Sequence, residues 1–193
     1  MDDNAQNEGQ TNLWVVGVDL SLTSTAIAAM STADGTLYVH RVRSSGKSDA
    51  SLYEKLARAE KLADDIVAAV MACSPSLVSI EGAQFSTSKD SSAHRRAGLW
   101  WLVISKLRSN GVDVVEVPVS TVKKWATGKG NAGKDAMIAF AARRWEQVTQ
   151  NDEADAAWLA DISAYVKGAS VVPRTKGRDA VLAKLDVRDI AGS

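Results

Sequence analysis

Four carboxylates in this chain stand where a carboxylate needs a reason. Asp152 and Asp155, in the segment NDEADAAWLADISAY from Asn151 to Tyr165, are three positions apart at the start of a predicted helix. At about 100° and 1.5 Å per residue, three steps return both side chains to one face, roughly one turn apart. Two acids so placed repel each other unless a cation joins them, although first-turn acids also answer the helix dipole and are often merely solvated. Asp19 in VVGVDLS and Glu81 in LVSIEGA lie in, or end, apolar stretches of strand length, where an ionised group is costly. One cysteine and two histidines exclude a Cys/His metal framework. A metal centre here must be built from oxygen donors, which suit magnesium or manganese rather than zinc.

The elements that must position these acids follow from periodicity. Leu13 to Leu20 is an apolar run of strand length, followed by the hydroxyl-rich SLTST and a second run from Ala26 to Met30, so a hairpin closes around Ser21 to Ser24. Asp34-Gly35 marks the next turn and Leu37 to Val42 a third strand. Between Ala50 and Cys73, apolar residues at Leu52, Leu56, Ala59, Ala63, Ile66 and Val70 have the spacing of an amphipathic helix, which Pro75 ends. Leu77 to Ile80 is a short strand ending in Glu81, Ala93 to Asn110 a helix closed by Gly111, and Val112 to Val117 a fifth strand. A short helix over Val119 to Ala126, a glycine-rich basic loop over Thr127 to Gly133 and a helix from Lys134 to Trp145 precede the Asp152 helix. A leading antiparallel meander, followed by strands separated by helices, predicts an α/β fold with a mixed five-stranded sheet flanked by helices.

The chain has 193 residues, 46% of them hydrophobic, enough for one sizeable core. Residues 1–11 are acidic and polar and read as a disordered tail, 12–167 as the folded domain, and 168–193 as an extension of unplaced role with a short helix near Asp179 to Leu185. Cys73, at the end of an apolar helical pattern, reads as a small core residue. No run approaches a membrane span and the start is no secretory signal, so a cytoplasmic protein is expected. Net charge is zero, but nine basic residues face three acidic ones between Ser86 and Lys134. A locally basic stretch between acidic strand positions is one way to hold a phosphate backbone beside a metal.

Taken together, GVDLSLTST with Asp19, IEGAQF with Glu81, the loop GKGNAGK and the DEAD of Asp152 and Asp155 resemble the RuvC family of Holliday junction resolvases, above all its phage-encoded members. The resemblance runs in order from about Val15 to Tyr165. It implies an RNase H-like fold, a homodimer in the bacterial cytoplasm, and metal-dependent cleavage of four-way DNA junctions. Carried over residue by residue, Asp19, Glu81, Asp152 and Asp155 would be both catalytic residues and ligands of two magnesium or manganese ions, roughly 3.5–4 Å apart in such centres. Lys129 and Lys134, with Lys123 and Lys124 beside them, would meet DNA, and Phe85 falls near the place of an aromatic residue that enters the junction. Leu99, Trp100, Leu102, Val103 and Leu107 resemble the family's dimer helix but are equally consistent with core. The proline and glycine that often continue the family's first-strand motif are replaced here by Leu20-Ser21.

Other readings weigh less. GKGNAGKD matches a phosphate loop except at its last place, where Asp135 replaces the magnesium-binding hydroxyl and would repel phosphate. Actin-like kinases use a similar strand aspartate but need a second domain for which there is little room. A non-catalytic junction-binding protein would keep a costly acid cluster to no purpose. An RNase H-like nuclease acting on other branched or flapped DNA is the nearest alternative.

Overall fold

In the computed structural model, which describes residues 13–83, 92–188 and 190, the elements run β1 (Trp14–Asp19), β2 (Ser24–Ser31), β3 (Leu37–Arg43), α1 (Leu52–Met71), β4 (Leu77–Glu81), α2 (Ala93–Ser109), β5 (Val114–Val117), α3 (Val119–Thr127), α4 (Lys134–Ala142), α5 (Asn151–Val166) and α6 (Lys176–Leu182). They form one five-stranded sheet in the order β3-β2-β1-β4-β5. β1, β2 and β3 are antiparallel, and β4 and β5 join parallel to β1, the mixed sheet expected from the chain's order. Among the described residues no helix is long and apolar enough to cross a membrane.

Side chains alternate across a strand, so each strand feeds two cores. Val16, Val18, Ile27, Val78 and Ile80 pack with Leu62, Ile66 and Val70 of α1 and with Leu99, Val103 and Leu107 of α2. Val15, Ala26, Ala28, Leu77, Val115 and Val117 pack on the other face with α3, α4 and α5. The extension after Gly168 belongs to this second core, through Val172, Val181, Leu185 and Ile190. Ser170 and Tyr165 tie it down further, donating to Asp161 and Asp179 at 2.8 Å each.

α5 is buried nearly all round, every residue from Ala156 to Tyr165 included. Such a helix has no solvated stripe and must lie between layers. Its inner face is mostly alanine, and it comes so close to β1 that a Cβ on Gly17 would stand 2.0 Å from the Ala156 carbonyl oxygen and 2.3 Å from the Ala160 nitrogen. Below it, the buried hydroxyls of Ser79 and Ser163 share a hydrogen bond of 2.7 Å.

The boundaries of several elements differ from the sequence reading. α4 stops at Ala142 instead of Trp145, because the chain turns there to bring Trp145 and Val148 into the core, with Trp145 edge-on to Trp158 at 5.0 Å. The last helix begins at Lys176, three residues before Asp179, since Thr175 caps it by accepting from the Arg178 amide at 3.2 Å.

Gly17→Ala should be the most damaging single-methyl addition in the sheet, because its neighbours at Ala156 and Ala160 are backbone and cannot rotate away. A loss of about 3 kcal/mol or more is expected, read by urea or thermal unfolding. A change within 0.5 kcal/mol would mean that α5 stands further from β1 than this packing requires.

Candidate active site

Strand alternation brings Asp19, Glu81 and Arg41 to the face that α5 covers. Val18 pairs with Ile80 in the parallel ladder, so Asp19 and Glu81 follow side by side at the carboxyl ends of adjacent strands. Asp19 also pairs with Ala26, and Ala26 with Arg41. One row across the sheet therefore reads Glu81, Asp19, Ala26, Arg41, at about 4.8 Å per strand. Ser163 lies near Val16 while Ala156 and Ala160 flank Gly17, so α5 runs back along β1. One more turn toward its start carries Asp155 and Asp152 above Asp19.

The electrostatics record that convergence. Burial, followed by the charges of Glu81, Asp155 and Asp152, pushes the Asp19 carboxyl up to about 8, and only Arg41 opposes them. Burial also pushes Asp155 up to about 6, against a hydrogen bond from Asn151 and the charges of Lys123 and Lys134. A carboxylate raised by its surroundings is one whose ionised form lacks compensation, and a bound cation would supply it. Burial also raises Asp161, on the same helix, but its two oxygens accept from Trp125 Nε1 and Ser170 Oγ at 2.8 Å each, and it faces the core. Its role is structural.

Asp152 has a partner that the sequence reading missed. Arg41 donates through both terminal nitrogens to the two oxygens of Asp152 and reaches Glu153 Oε1 from Nε at 3.2 Å and from Nη2 at 3.1 Å. Nothing local in VHRVR marks Arg41; only the cross-strand register places it in line with Asp19. Asn151, whose Nδ2 donates to Asp155 Oδ2 at 2.9 Å, was likewise missed.

Beside the acids lies a cleft of about 230 Å³ lined by Asp19, Glu81, Gly82, Arg96 and Trp100, whose Nε1 donates to the Glu81 carbonyl at 2.9 Å. A second cleft, about 480 Å³, shares Gly82 and Ala83 with it and runs toward Ser120, Lys123 and Gly130. Asp19 and Glu81 thus line one of two adjoining clefts, and Lys123 and Glu116 the other. Lys123 and Lys134 stand close enough to act on Asp155, while Lys124 and Lys129 are exposed on α3 and the loop after it. Phe85 lies outside the described residues. On α2, Leu99, Trp100, Val103 and Leu107 are buried in this chain's own core, and Trp101, which the sequence reading passed over, is 65% exposed.

In chemistry the four acids fit a hard divalent cation: they are all oxygen donors, and two of them have ionised forms that their surroundings disfavour. Among the described residues, however, no three of them are grouped to hold an ion. Arg41 engages Asp152 and Asn151 engages Asp155 instead.

No family model matches the chain, and no curated protein does. Solved structures do. RuvC of Thermus thermophilus is similar at a TM-score of 0.64 and 18% identity, covering 81% of this chain and 98% of its own. T. thermophilus RuvC in complex with a Holliday junction substrate gives 0.65 and 16%, covering 82% and 97%. Ydc2, the yeast mitochondrial Holliday junction resolvase, gives 0.56 and 13%, covering 88% and 80%. At these identities the likeness is one of fold: the chain has a RuvC-like fold.

Asp19 makes a stability prediction whose sign is fixed. With a folded pKa near 8 against an ordinary value of 3.8, the folded protein holds a proton that the unfolded chain has released, so stability falls as pH rises through that interval. The slope has a ceiling of about 1.4 kcal/mol per pH unit. Between pH 5 and 8, in chelator, wild type should lose stability relative to Asp19→Asn, measured by denaturant unfolding at each pH. Parallel stability curves would mean that Asp19 is solvated and its neighbours remote.

Proposed function

We propose that this chain is a metal-dependent endodeoxyribonuclease that resolves four-way DNA junctions. The observation that carries this reading is the convergence of two strand acids, Asp19 and Glu81, with two acids from the first turns of α5, on a RuvC-like fold and within reach of Lys123 and Lys134. Asp19 and Glu81 would hold the cations from the sheet side, Asp152 and Asp155 from the helix side. Bound magnesium or manganese, two per site, supplies a water nucleophile active at neutral pH and charge stabilisation at the leaving 3′ oxygen. In-line hydrolysis leaves a 5′ phosphate and a 3′ hydroxyl.

The remaining work falls to this chain's cations and shape. Lys123 and Lys134 border the acids and would hold the phosphates that flank the scissile bond, and Lys124 and Lys129 would extend that contact along the strand. Phe85, shortly after Glu81 in the sequence, would enter the junction's open centre. Symmetric resolution needs two nicks and hence two active sites, so the working form is a homodimer. With Leu99, Trp100, Val103 and Leu107 of α2 buried in its own core, exposed Trp101 is the residue we assign to the partner's surface.

Cleavage of a synthetic four-way junction, beside a matched linear duplex and a flap, tests this directly. Paired nicks confined to the junction, present with magnesium or manganese and absent in chelator, are expected. Equal cutting of the flap would replace junction resolution with a broader branched-DNA nuclease, and tight binding with no cleavage would make the protein a junction binder. Asp19→Asn and Asp155→Asn should each lower cleavage by at least a thousandfold while junction affinity stays within about threefold, because each removes a ligand but no phosphate contact.

The basic loop gives an independent check. Replacing Lys129 and Lys134 together by alanine should weaken junction binding and reduce the slope of log K against log salt by about 1 to 2. An unchanged slope would remove the loop from the DNA interface.

A further inference from the structure

Arg41 spends all five of its N–H donors inside the acid site. Nη1 donates to Asp152 and to Ser24 Oγ at 3.2 Å, Nη2 to Asp152 Oδ1 at 2.5 Å and to Glu153 Oε1 at 3.1 Å, and Nε to Glu153 Oε1 at 3.2 Å. The side chain is only 14% exposed. A planar fork matched to both oxygens of one carboxylate is the strongest ion-pair geometry that side chains offer. It is here spent on one of the four acids at the centre of the proposed site. Asp152 Oδ1 in addition accepts the Glu153 amide at 3.0 Å. A divalent cation shared between Asp152 and Asp19 would need an oxygen that the guanidinium already engages.

Glu153 makes the two occupancies compatible. It meets Arg41 through Oε1 alone, while its Oε2 accepts the amides of Thr149 and Gln150 at 3.0 and 3.1 Å. Glu153 is therefore fixed by the start of α5 whatever Asp152 does. The guanidinium can keep its Nε and Nη2 bonds to Glu153 while its Nη1 and Nη2 bonds to Asp152 both break, without leaving the site.

We propose that Arg41 is a resident counter-cation: it neutralises Asp152 while the site is empty of metal, and a divalent cation binds by displacing it from Asp152 onto Glu153. Arg41 is thus a positioning residue that sets cation affinity by competition. Its positive charge, in line with Asp19 across β2, also disfavours the approach of a second cation. This inference rests on the metal-dependent reading above and can fail separately from it.

The test is binding, with no DNA present. Mn2+ is titrated into the full chain and followed by water-proton relaxation, for wild type, Arg41→Gln and Arg41→Lys. Arg41→Gln, which removes the charge, should bind Mn2+ at least threefold more tightly; Arg41→Lys, which keeps the charge but loses the fork, should fall between. In wild type the 15N–H resonance of Arg41 Nη1 should move on saturation with Mg2+ and stay in place in Asp152→Asn. An Arg41→Gln affinity equal to or weaker than wild type, in a protein with native circular dichroism, overturns the exchange and leaves Arg41 a clamp for α5. If Arg41→Gln does not fold, the wild-type resonance decides: one that ignores saturating Mg2+ overturns the proposal. Absence of Mn2+ binding by every variant overturns this inference and the metal-dependent reading together.

Discussion

The contact on which this structure depends is the approach of α5 to β1 at Gly17. No side chain fits there, and the helix meets the strand with Ala156, Leu159 and Ala160. Helices normally stand off a sheet by the depth of the side chains between them; here that depth is close to nothing. The small residues do more than fill space. They fix how far above the sheet the start of α5 lies, and so whether carboxylates on the helix can act on a carboxylate on the strand. A bulkier interface would leave both elements formed and the acids apart.

With that distance set, the cost of assembling four acids is distributed by what each can reach. Asp161 is the most enclosed carboxylate of α5 and is met by an indole N–H and a hydroxyl. Asp152 has a guanidinium, Asp155 an amide and the field of two lysines. Asp19 has the least, because it sits lowest, against the sheet, with three acids around it and only the more distant Arg41 in its favour. The carboxylate at the centre of the row is therefore one whose ionised form its surroundings strongly disfavour. That is the arrangement in which an added cation changes most, since the attraction it gains to several carboxylates is largest where none has been neutralised already.

The fold was largely legible because it follows from local pattern: strand lengths, the Asp-Gly turn, helical spacing and the order that calls for a meander followed by crossovers. Asp19 and Glu81 could be placed for the same reason, as acids on strands that otherwise read apolar. What escaped depended on register and packing. Arg41 is an ordinary charge on an edge strand until β1, β2 and β3 are aligned residue by residue. Gly17 looks like any strand glycine until α5 is laid across it. The end of α4 was overrun because Trp145 continues the apolar spacing, and only the core decides that the chain must leave the helix to bury it. The extension after Gly168 carries too few apolar residues to announce a core role, yet four of them complete the cluster around α5.

Zero net charge poses less difficulty for a nucleic-acid partner than it does at first sight. Charges more than about 8–10 Å apart on a solvated surface scarcely feel each other at physiological salt, so a polyanion responds to local arrangement and not to the sum. Lys123, one of the two lysines that act on Asp155, lines the cleft adjoining the one that Asp19 and Glu81 line. Several acids that balance the total are taken up elsewhere: Asp186 by Arg188, Asp65 by Lys61, Asp113 by Arg108, Asp64 by Lys106. A phosphate backbone lying along the two clefts would meet Lys123 at one end and acids at the other. Those acids repel it until cations lie between them, so a backbone and a divalent metal would each make the other's binding more favourable, and neither alone would be held as well as both.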